Sequence, residues 1–528
     1  MTETTVLPPS ERFNFARHLF ELNAGRPDKV AYIDDVGSMT YGELEDRARR
    51  VATALRASGV RREDRVLLLM HDCNDWPVAF LGALVAGVVP VAINTMLTAD
   101  DYAYILDNSR SQAVLVSAEL LPVLQAAMAS APHEVETIIV SRPSDTNDDA
   151  DMSFEAWIAP HAPKDNAADT TADDVALWLY SSGSTGRPKG TVHAHGSLYW
   201  TAELYAKPVL GLTEDDVTFS AAKLFFAYGL GNGLSFPLSV GATVILMAGR
   251  PTPDACFKRM TTYRPTVFFG APTGFAGMLA SPSLPPRDQV TLRMCSSAGE
   301  ALPRDIGERF TRHFGCHIID GIGSTEMLHI FLSNRPDDVR YGTTGKPVDG
   351  YEVELRDELG RVMEGPDLVG DLFIKGPSAA LMYWSNRSKS RETFQGHWTK
   401  SGDKYFRDAD GYYVYAGRSD DMIKVSGQYV SPFEVESTLM EHPGVLEAAV
   451  IGVPDANGLT RTKAYVVIKS GGVASVEFAN ELKAFVKVRL APVKYPREIE
   501  FVDELPKTAT GKIQRFRLRE RSARPLPE

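Results

Sequence analysis

Cysteine is scarce in this sequence: Cys73, Cys256, Cys295 and Cys316 are the four in 528 residues. They are widely spaced and form no CxxC pair, which excludes a disulfide framework or a cysteine-built zinc site and fits a reducing compartment. Positive charge is not in excess either. Lys and Arg total 56 against 68 Asp and Glu, a formal net charge of −12. A general nucleic-acid binder carries a basic face, so that class is set aside, while local basic pockets for phosphates stay open. An apolar run of about 18 residues, the length of a membrane span, is also missing. The nearest stretch, 79–94, is punctuated by Gly82, Gly87 and Pro90, and reads as a buried helix followed by a strand. Residues 1–12 are polar, with acids and prolines, and lack the apolar centre of a signal peptide. The expectation is a cytoplasmic protein with no membrane and no nucleic-acid partner.

What is present is ordinary globular material, 44% hydrophobic and 23% charged, enough for large cores and more than one domain. Short apolar runs at 66–70, 88–93, 113–116, 137–140, 176–180, 243–247, 266–269 and 317–319 read as buried strands. Continuous apolarity, as opposed to alternation, suits parallel strands covered on both faces. Between them lie helical stretches. In 41–58, Leu44, Ala48, Val51 and Leu55 recur at spacings of four and three, and Gly59 supplies a stop. This alternation predicts an α/β fold in several layers. After about residue 345 the texture changes. Segments 351–356, 370–375 and 411–415 alternate and are rich in turns, which predicts a barrel-like antiparallel unit. Beyond Arg418 a segment of about a hundred residues, with a helix over 475–490 that carries Phe478, Leu482 and Phe485 on one face, predicts a small α+β domain.

The strongest local signal is the run Tyr180-Ser181-Ser182-Gly183-Ser184-Thr185-Gly186-Arg187-Pro188-Lys189-Gly190. Glycines and hydroxyl residues after a strand can turn backbone N–H groups toward phosphate oxygens, and Lys189 adds a positive charge. It is not a Walker A loop, because Pro188 precedes the lysine and Gly190 stands where a Mg²⁺-binding hydroxyl is needed. Four further blocks are weak one by one. Ser297-Ala298-Gly299-Glu300-Ala301-Leu302-Pro303 is a small-residue turn after the strand near 292–295. Asp320-Gly321-Ile322-Gly323-Ser324-Thr325-Glu326 sets a hydroxyl beside a carboxylate, suited to a phosphate and a hard cation. Asp403, Tyr415 and the run from Gly417-Arg418 to Gly427 form a charged, turn-rich block at the change of texture, where a carboxylate could grip ribose hydroxyls and an arginine could fork onto a ribose or phosphate. Pro506-Lys507-Thr508-Ala509-Thr510-Gly511-Lys512-Ile513 presents a lysine in a Gly/Thr turn. His193 and His195 form an HxH pair after the first block, with no carboxylate or cysteine to complete a metal set.

Together and in this order, from Tyr41-Gly42-Glu43-Leu44 to Lys512, these blocks resemble the adenylate-forming superfamily of acyl- and aryl-CoA synthetases, peptide-synthetase adenylation domains and firefly luciferase. Within it, Lys223-Leu224-Phe225-Phe226-Ala227-Tyr228-Gly229-Leu230-Gly231-Asn232-Gly233 looks most like benzoate–CoA ligases. Many superfamily members carry a histidine where this chain has Phe226, so a polar group is removed from the acyl-pocket wall. The resemblance implies a large multi-layer N-terminal domain with a barrel-like subdomain, residues 1–419, and a small mobile α+β C-terminal domain, residues 420–528, with Asp420 as hinge.

It also implies the chemistry. ATP turns an acid into an acyl-adenylate, and coenzyme A then displaces AMP. By resemblance Ser181, Ser182, Gly183, Ser184, Thr185, Gly186 and Lys189 hold the β- and γ-phosphates. Thr325 meets the α-phosphate and Glu326 supports Mg²⁺. Ala298, Gly299, Glu300, Asp320 and Gly321 surround adenine, and Asp403 and Arg418 grip the ribose. Lys512 reaches the substrate carboxylate, while Lys424 and Gly427 line the pantetheine tunnel after the small domain rotates. Phe226, Ala227, Tyr228, Gly323, His329 and Ile330 form the acyl pocket, a flat apolar slot for an aromatic carboxylate. His329 has a second reading, as a packed and hydrogen-bonded core residue. A homodimer is compatible with all of this. Alternative activities are a CoA ligase for hydroxy- or aminobenzoates, or an adenylation enzyme that loads a separate carrier protein. About sixteen residues follow Lys512, so no attached carrier domain is expected, and acyl transfer to free CoA against transfer to a phosphopantetheinyl protein separates the readings.

Overall fold

The structure is a computed structural model. It describes residues 6–143, 152–183, 186–419, 421–425, 428–455, 460–469, 471–490, 494–507 and 513–523. Two large sheets share one helical filling. The first has eight strands, in the spatial order Met382–Tyr383, Gly186–Ala194, Val175–Gly183, Val89–Ala92, Arg65–Leu69, Ala113–Ser117, Thr137–Ser141, Met152–Ser153. Its pairings are parallel from Val175–Gly183 onward, and the two strands at the other edge are antiparallel. The second has nine strands, with a parallel centre running from Ile318–Gly323 through Met294–Ser297, Val267–Gly270, Val217–Ser220 and Thr243–Ile245 to Val30–Ile33. Every apolar run expected to be a strand is one.

Helices Tyr41–Ala57 and Asp75–Ala86 fill the space between the sheets, in one core with Val66 and Leu68 of the first and Tyr32 and Val244 of the second. The first helix starts at a capping box. The Glu43 amide donates to Thr40 Oγ1 at 3.2 Å, and the Thr40 amide to Glu43 Oε2 at 2.8 Å. Leu44, Ala48, Val51 and Leu55 point inward as the spacing predicts, and Gly59 sits at φ +81° just beyond the end. The second helix is buried on every side. Gly82, read from the sequence as punctuation, lies inside it. A Cβ there would come 2.5 Å from Val51, so the glycine lets two helices touch and breaks nothing.

The change of texture near 345 is a change of architecture. Strands Glu352–Arg356, Gly370–Lys375, Trp398–Arg407, Phe394–Gln395 and Tyr413–Arg418 form a five-stranded antiparallel sheet. After it, hairpin Ile423–Val425/Gln428–Val430 and a three-stranded sheet of Val445–Pro454, Thr460–Ile468 and Glu498–Phe501 pack with helices Pro432–Met440 and Val476–Arg489. This is the small α+β unit. Leu482 is buried on its helix, with Phe478 packed against the same core. All four cysteines are buried free thiols. Among the described residues no helix is long and apolar enough to cross a membrane.

Candidate active site

The glycine-rich block is more ordered than a loop after a strand. Val175–Gly183 continues past Tyr180 and pairs antiparallel with Gly186–Ala194, so the described residues of the block lie on the two arms of a β-hairpin, with Ser181 opposite Lys189 and Gly183 opposite Gly186. Local propensity does not foresee this, because glycine and serine are poor strand formers. Aromatic packing on both arms supplies the missing stability. Trp178 and Trp384 lie 4.5 Å apart, and the Arg65 guanidinium stands 5.8 and 5.6 Å from their rings. Tyr180 donates to Asn108 Oδ1 at 2.7 Å. The short strand Met382–Tyr383 pairs with the returning arm, and the Trp384 amide donates to the Gly190 carbonyl at 2.7 Å.

That pairing brings Tyr383 to the centre of the site. Lys189 Nζ lies 4.5 Å from its ring centroid, and its hydroxyl donates to Glu326 Oε1 at 2.7 Å. Ser181 Oγ approaches the same carboxylate oxygen at 3.5 Å. Burial lowers the Lys189 pKa, Glu326 opposes the shift, and Arg418 adds to it, which places that arginine in the same electrostatic neighbourhood. Glu326 itself stands in a one-turn 3₁₀ helix, Thr325–Met327, capped by Ser324 Oγ, which accepts the Met327 amide at 3.2 Å. The turn ends at Leu328, a non-glycine residue held at φ +62°. Two oxygens of one carboxylate, with Tyr383 and Ser181 both addressing Oε1, suit a cation such as Mg²⁺ that keeps waters and phosphate oxygens as its other ligands. Among the described residues no group of three or more His, Cys, Asp or Glu could form an all-protein metal cage.

The turn Ala298-Gly299-Glu300 follows strand Met294–Ser297, with Gly299 at φ +96° and open space where a Cβ would stand. Glu300 is anchored from the side, accepting from Thr273 Oγ1 at 3.0 Å. Asp320 lies on the neighbouring strand beside Ser297. Burial raises its carboxyl to about 8. Asp403 and Arg418 face each other across adjacent strands, Nη1 to Oδ1 3.3 Å. Gly402, at φ +81°, would place a Cβ 3.2 Å from the same guanidinium.

The residues expected from the sequence to form the acyl pocket divide into two layers. Phe226, Ala227, Tyr228 and Gly323 are partly exposed, whereas His329 and Ile330 are buried. Tyr228 spends its hydroxyl on Ser296 Oγ at 3.1 Å. His329 is packed among Tyr205, Tyr228 and Phe236 at centroid distances of 5.5, 5.4 and 4.3 Å, and its Nε2 donates to the Tyr228 carbonyl at 3.3 Å. Burial drives its pKa down to about 3, so it is neutral. Of the two sequence readings of His329, the packed core residue is the one that the geometry supports. It buttresses Tyr228 from behind. Gly231 and Gly323 make this possible, since a Cβ on either would stand within 2.3 or 2.5 Å of His329.

The pattern of family likeness agrees with the geometry. Residues 19–384 match the AMP-binding enzyme family and residues 434–512 its C-terminal domain. The chain belongs to the AMP-binding enzyme family. It is 56% identical over 512 residues to a benzoate–CoA ligase of Thauera aromatica, covering 96% of each chain. Identity to the 4-hydroxybenzoate–CoA/benzoate–CoA ligase of Rhodopseudomonas palustris is 47% over 522 residues, covering 97% of this chain and 95% of that one. The crystal structure of a benzoate CoA ligase from Burkholderia xenovorans superposes with a TM-score of 0.91 at 62% identity, over 96% of this chain and all of that one. This AMP-binding enzyme is therefore an acid–thiol ligase that forms acyl-adenylates, with a large N-terminal and a small C-terminal domain.

Several residues picked out from the sequence lie outside the described residues: Ser184, Thr185, Asp420, Gly427 and Lys512. For Ser182, Gly183, Gly186 and Lys424 only the backbone is described. In turn, the fold of this AMP-binding enzyme adds residues that the motifs did not mark. Tyr383 and Ser296 reach the site from 57 and 68 residues away along the chain. No local pattern announces such contacts. The HxH pair did signal itself, but its reading needed a partner. His195 Nδ1 accepts the Phe15 amide at 3.3 Å, a link within the core, and His193 meets Thr325.

Proposed function

We propose that this enzyme joins benzoate to coenzyme A through benzoyl-AMP, releasing pyrophosphate and then AMP. The observation that carries the choice of acid is the front of the acyl wall. Phe226 and Ala227 offer only carbon there, the Tyr228 hydroxyl is committed to Ser296, and the one nearby imidazole faces the Tyr228 carbonyl. An unsubstituted ring leaves no polar group unmatched against such a surface. The likeness to ligases named for benzoate supports the same reading.

In the first step the acid is already ionised near neutral pH and needs no general base. Its carboxylate attacks the α-phosphorus and pyrophosphate departs, so the protein's task is alignment and charge neutralisation. Ser181, Ser182, Gly183, Ser184, Thr185, Gly186 and Lys189 hold the β- and γ-phosphates. Thr325 contacts the α-phosphate. Glu326 supports Mg²⁺, which when bound spreads the charge of the phosphate oxygens. Ala298, Gly299, Glu300, Asp320 and Gly321 frame adenine, and Asp403 and Arg418 hold the ribose. Lys512 bridges carboxylate and nucleotide.

In the second step the CoA thiol displaces AMP. With a pKa near 8.5, a few per cent of it is thiolate at neutral pH, enough against so reactive a mixed anhydride. The small domain, starting at residue 420, turns about Asp420 to exchange Lys512 for the loop of Lys424 and Gly427. Four buried free thiols fit a cytoplasmic location. The test is a panel of benzoate, hydroxybenzoates, aminobenzoates and aliphatic acids in a CoA-dependent AMP-release assay. Benzoate gives the highest kcat/KM. A hydroxy- or aminobenzoate that exceeds it, or AMP release only with a carrier protein, overturns the assignment.

A further inference from the structure

His193 stands outside the roles assigned above, yet it is fully buried and touches the centre of the site. It lies on the returning arm of the hairpin, four residues after Lys189. Side chains two and four apart on a strand share a face, so Lys189 and His193 point the same way, about 13 Å apart along the chain. The first meets Tyr383 and the second meets the turn that carries Thr325 and Glu326.

The geometry of that turn is specific. Its three consecutive carbonyls are all held from behind. Thr325 O accepts from His193 Nε2 at 2.7 Å, Glu326 O from the Ala380 amide at 2.7 Å, and Met327 O from Ser378 Oγ at 2.8 Å. Two of these holds come from the segment 378–380; the one on Thr325 comes from the phosphate-loop hairpin. A carbonyl only accepts, so the ring hydrogen of His193 is on Nε2. Burial pulls the imidazole down to about 4, and the neutral ring has one N–H to give. Among the described residues its Nδ1 makes no hydrogen bond of ordinary geometry, although the Ser378 backbone also acts on the ring. A buried unpaired nitrogen is a cost that an apolar side chain would avoid, and the bond to Thr325 is what offsets it.

We propose that His193 is a positioning residue for acyl-adenylate formation: by gripping the Thr325 carbonyl it ties the phosphate-loop hairpin to the Thr325–Glu326 turn and fixes where the Thr325 hydroxyl meets the α-phosphate. The proposal rests on the reading of Thr325 as the α-phosphate contact. A residue that merely fills space at 193 would leave the geometry at phosphorus unchanged, so the decisive readout is stereochemical. Full-length enzyme with His193→Leu, His193→Gln or Thr325→Val is assayed with benzoate and each diastereomer of ATPαS, following pyrophosphate release, alongside thermal melts. The leucine variant keeps its melting temperature, slows adenylation by as much as about a hundredfold, and shifts the diastereomer ratio in the direction of Thr325→Val. Glutamine, which restores an amide donor near the Nε2 position, recovers most of the rate and the native ratio. A folded leucine variant with native rate and native ratio, beside an impaired Thr325→Val, overturns the inference and leaves the site reading standing. A native Thr325→Val overturns the site reading itself. Should leucine prevent folding, His193→Asn, polar but too short to reach the carbonyl, takes its place with the same two outcomes.

Discussion

The Tyr383 hydroxyl donates to Glu326 Oε1 at 2.7 Å while Lys189 Nζ sits 4.5 Å from the centroid of the same ring. One tyrosine thus serves a carboxylate at its tip and an ammonium on its face. Burial, with Glu326 adding to it, pushes the phenol pKa well up, so the hydroxyl remains a donor. Tyr383→Phe keeps the ring under Lys189 and removes only the hydrogen bond to the carboxylate. A hydrogen bond to a charged group contributes about 1.5–3 kcal/mol, so benzoyl-AMP formation slows by about ten- to a hundredfold. The Mg²⁺ concentration for half-maximal pyrophosphate release rises. A native Mg²⁺ titration with native rate removes Tyr383 from the site.

On the proposed rotation of the small domain, Lys512→Ala loses most adenylation but retains much of the transfer to CoA from supplied benzoyl-AMP. The two half-reactions are measured separately in single turnovers. Equal loss of both points to a folding defect and sinks the assignment.

Ala227 is the small residue between Phe226 and Tyr228 on the proposed pocket wall, and it begins the short helix Ala227–Leu230. Ala227→Leu fills the space beside the ring. Discrimination by a missing methylene-sized space is about 1–3 kcal/mol, so substituted benzoates are rejected before benzoate itself. An unchanged ratio of kcat/KM across the acid panel excludes this residue from the pocket.

Asp420→Pro tests the hinge. Proline fixes φ near −65° and restricts the dihedral change that a rotation needs. The variant keeps benzoyl-AMP formation and loses thioester formation, provided that the locked φ matches the first conformation. Native rates in both half-reactions show that the alternation does not turn about this residue.

The loop before the acyl wall is pinned by Asp72, whose Oδ1 accepts the Leu224 amide at 3.2 Å. Burial raises the Asp72 carboxyl to about 6, with Lys223 pulling the other way. The sign follows from linkage. The folded state holds this proton more tightly than the unfolded state, so the contribution is complete below about pH 4 and is lost as pH rises through about 6. Asn mimics the protonated form and still accepts the amide. Asp72→Asn therefore gains stability relative to the native enzyme between pH 4 and 7, by about 3 kcal/mol at most. Denaturant melts that show a constant difference across that range refute the assignment.

Much of the architecture is legible in single segments. Continuous apolar runs such as Val66, Leu67, Leu68 and Leu69 can only be satisfied with both faces covered, which predicts parallel strands between helices. The Gly-, Ser- and Asp-rich turns are weak one by one and point to nucleotide chemistry through the resemblance that their order carries; Thr40 and Glu43, by contrast, set a helix start by themselves. These features depend on residues a few positions apart, where backbone geometry links sequence spacing directly to space.

Tertiary structure decided the rest. The strands on either side of the block 180–190 pair as a hairpin with Trp384 and Arg65 packed against its own Trp178, and those two partners are distant in the chain. Tyr383 reaches Glu326 because a two-residue strand pairs with that hairpin. The HxH pair carries no chemistry on its own; His193 acquires a partner only when the Thr325 turn folds against it. His329 could be a pocket wall or a core residue in sequence, and the three rings around it settle the choice. A side chain's type is local information. Its burial, its hydrogen-bond partner and hence its protonation state are set by whatever the fold packs beside it.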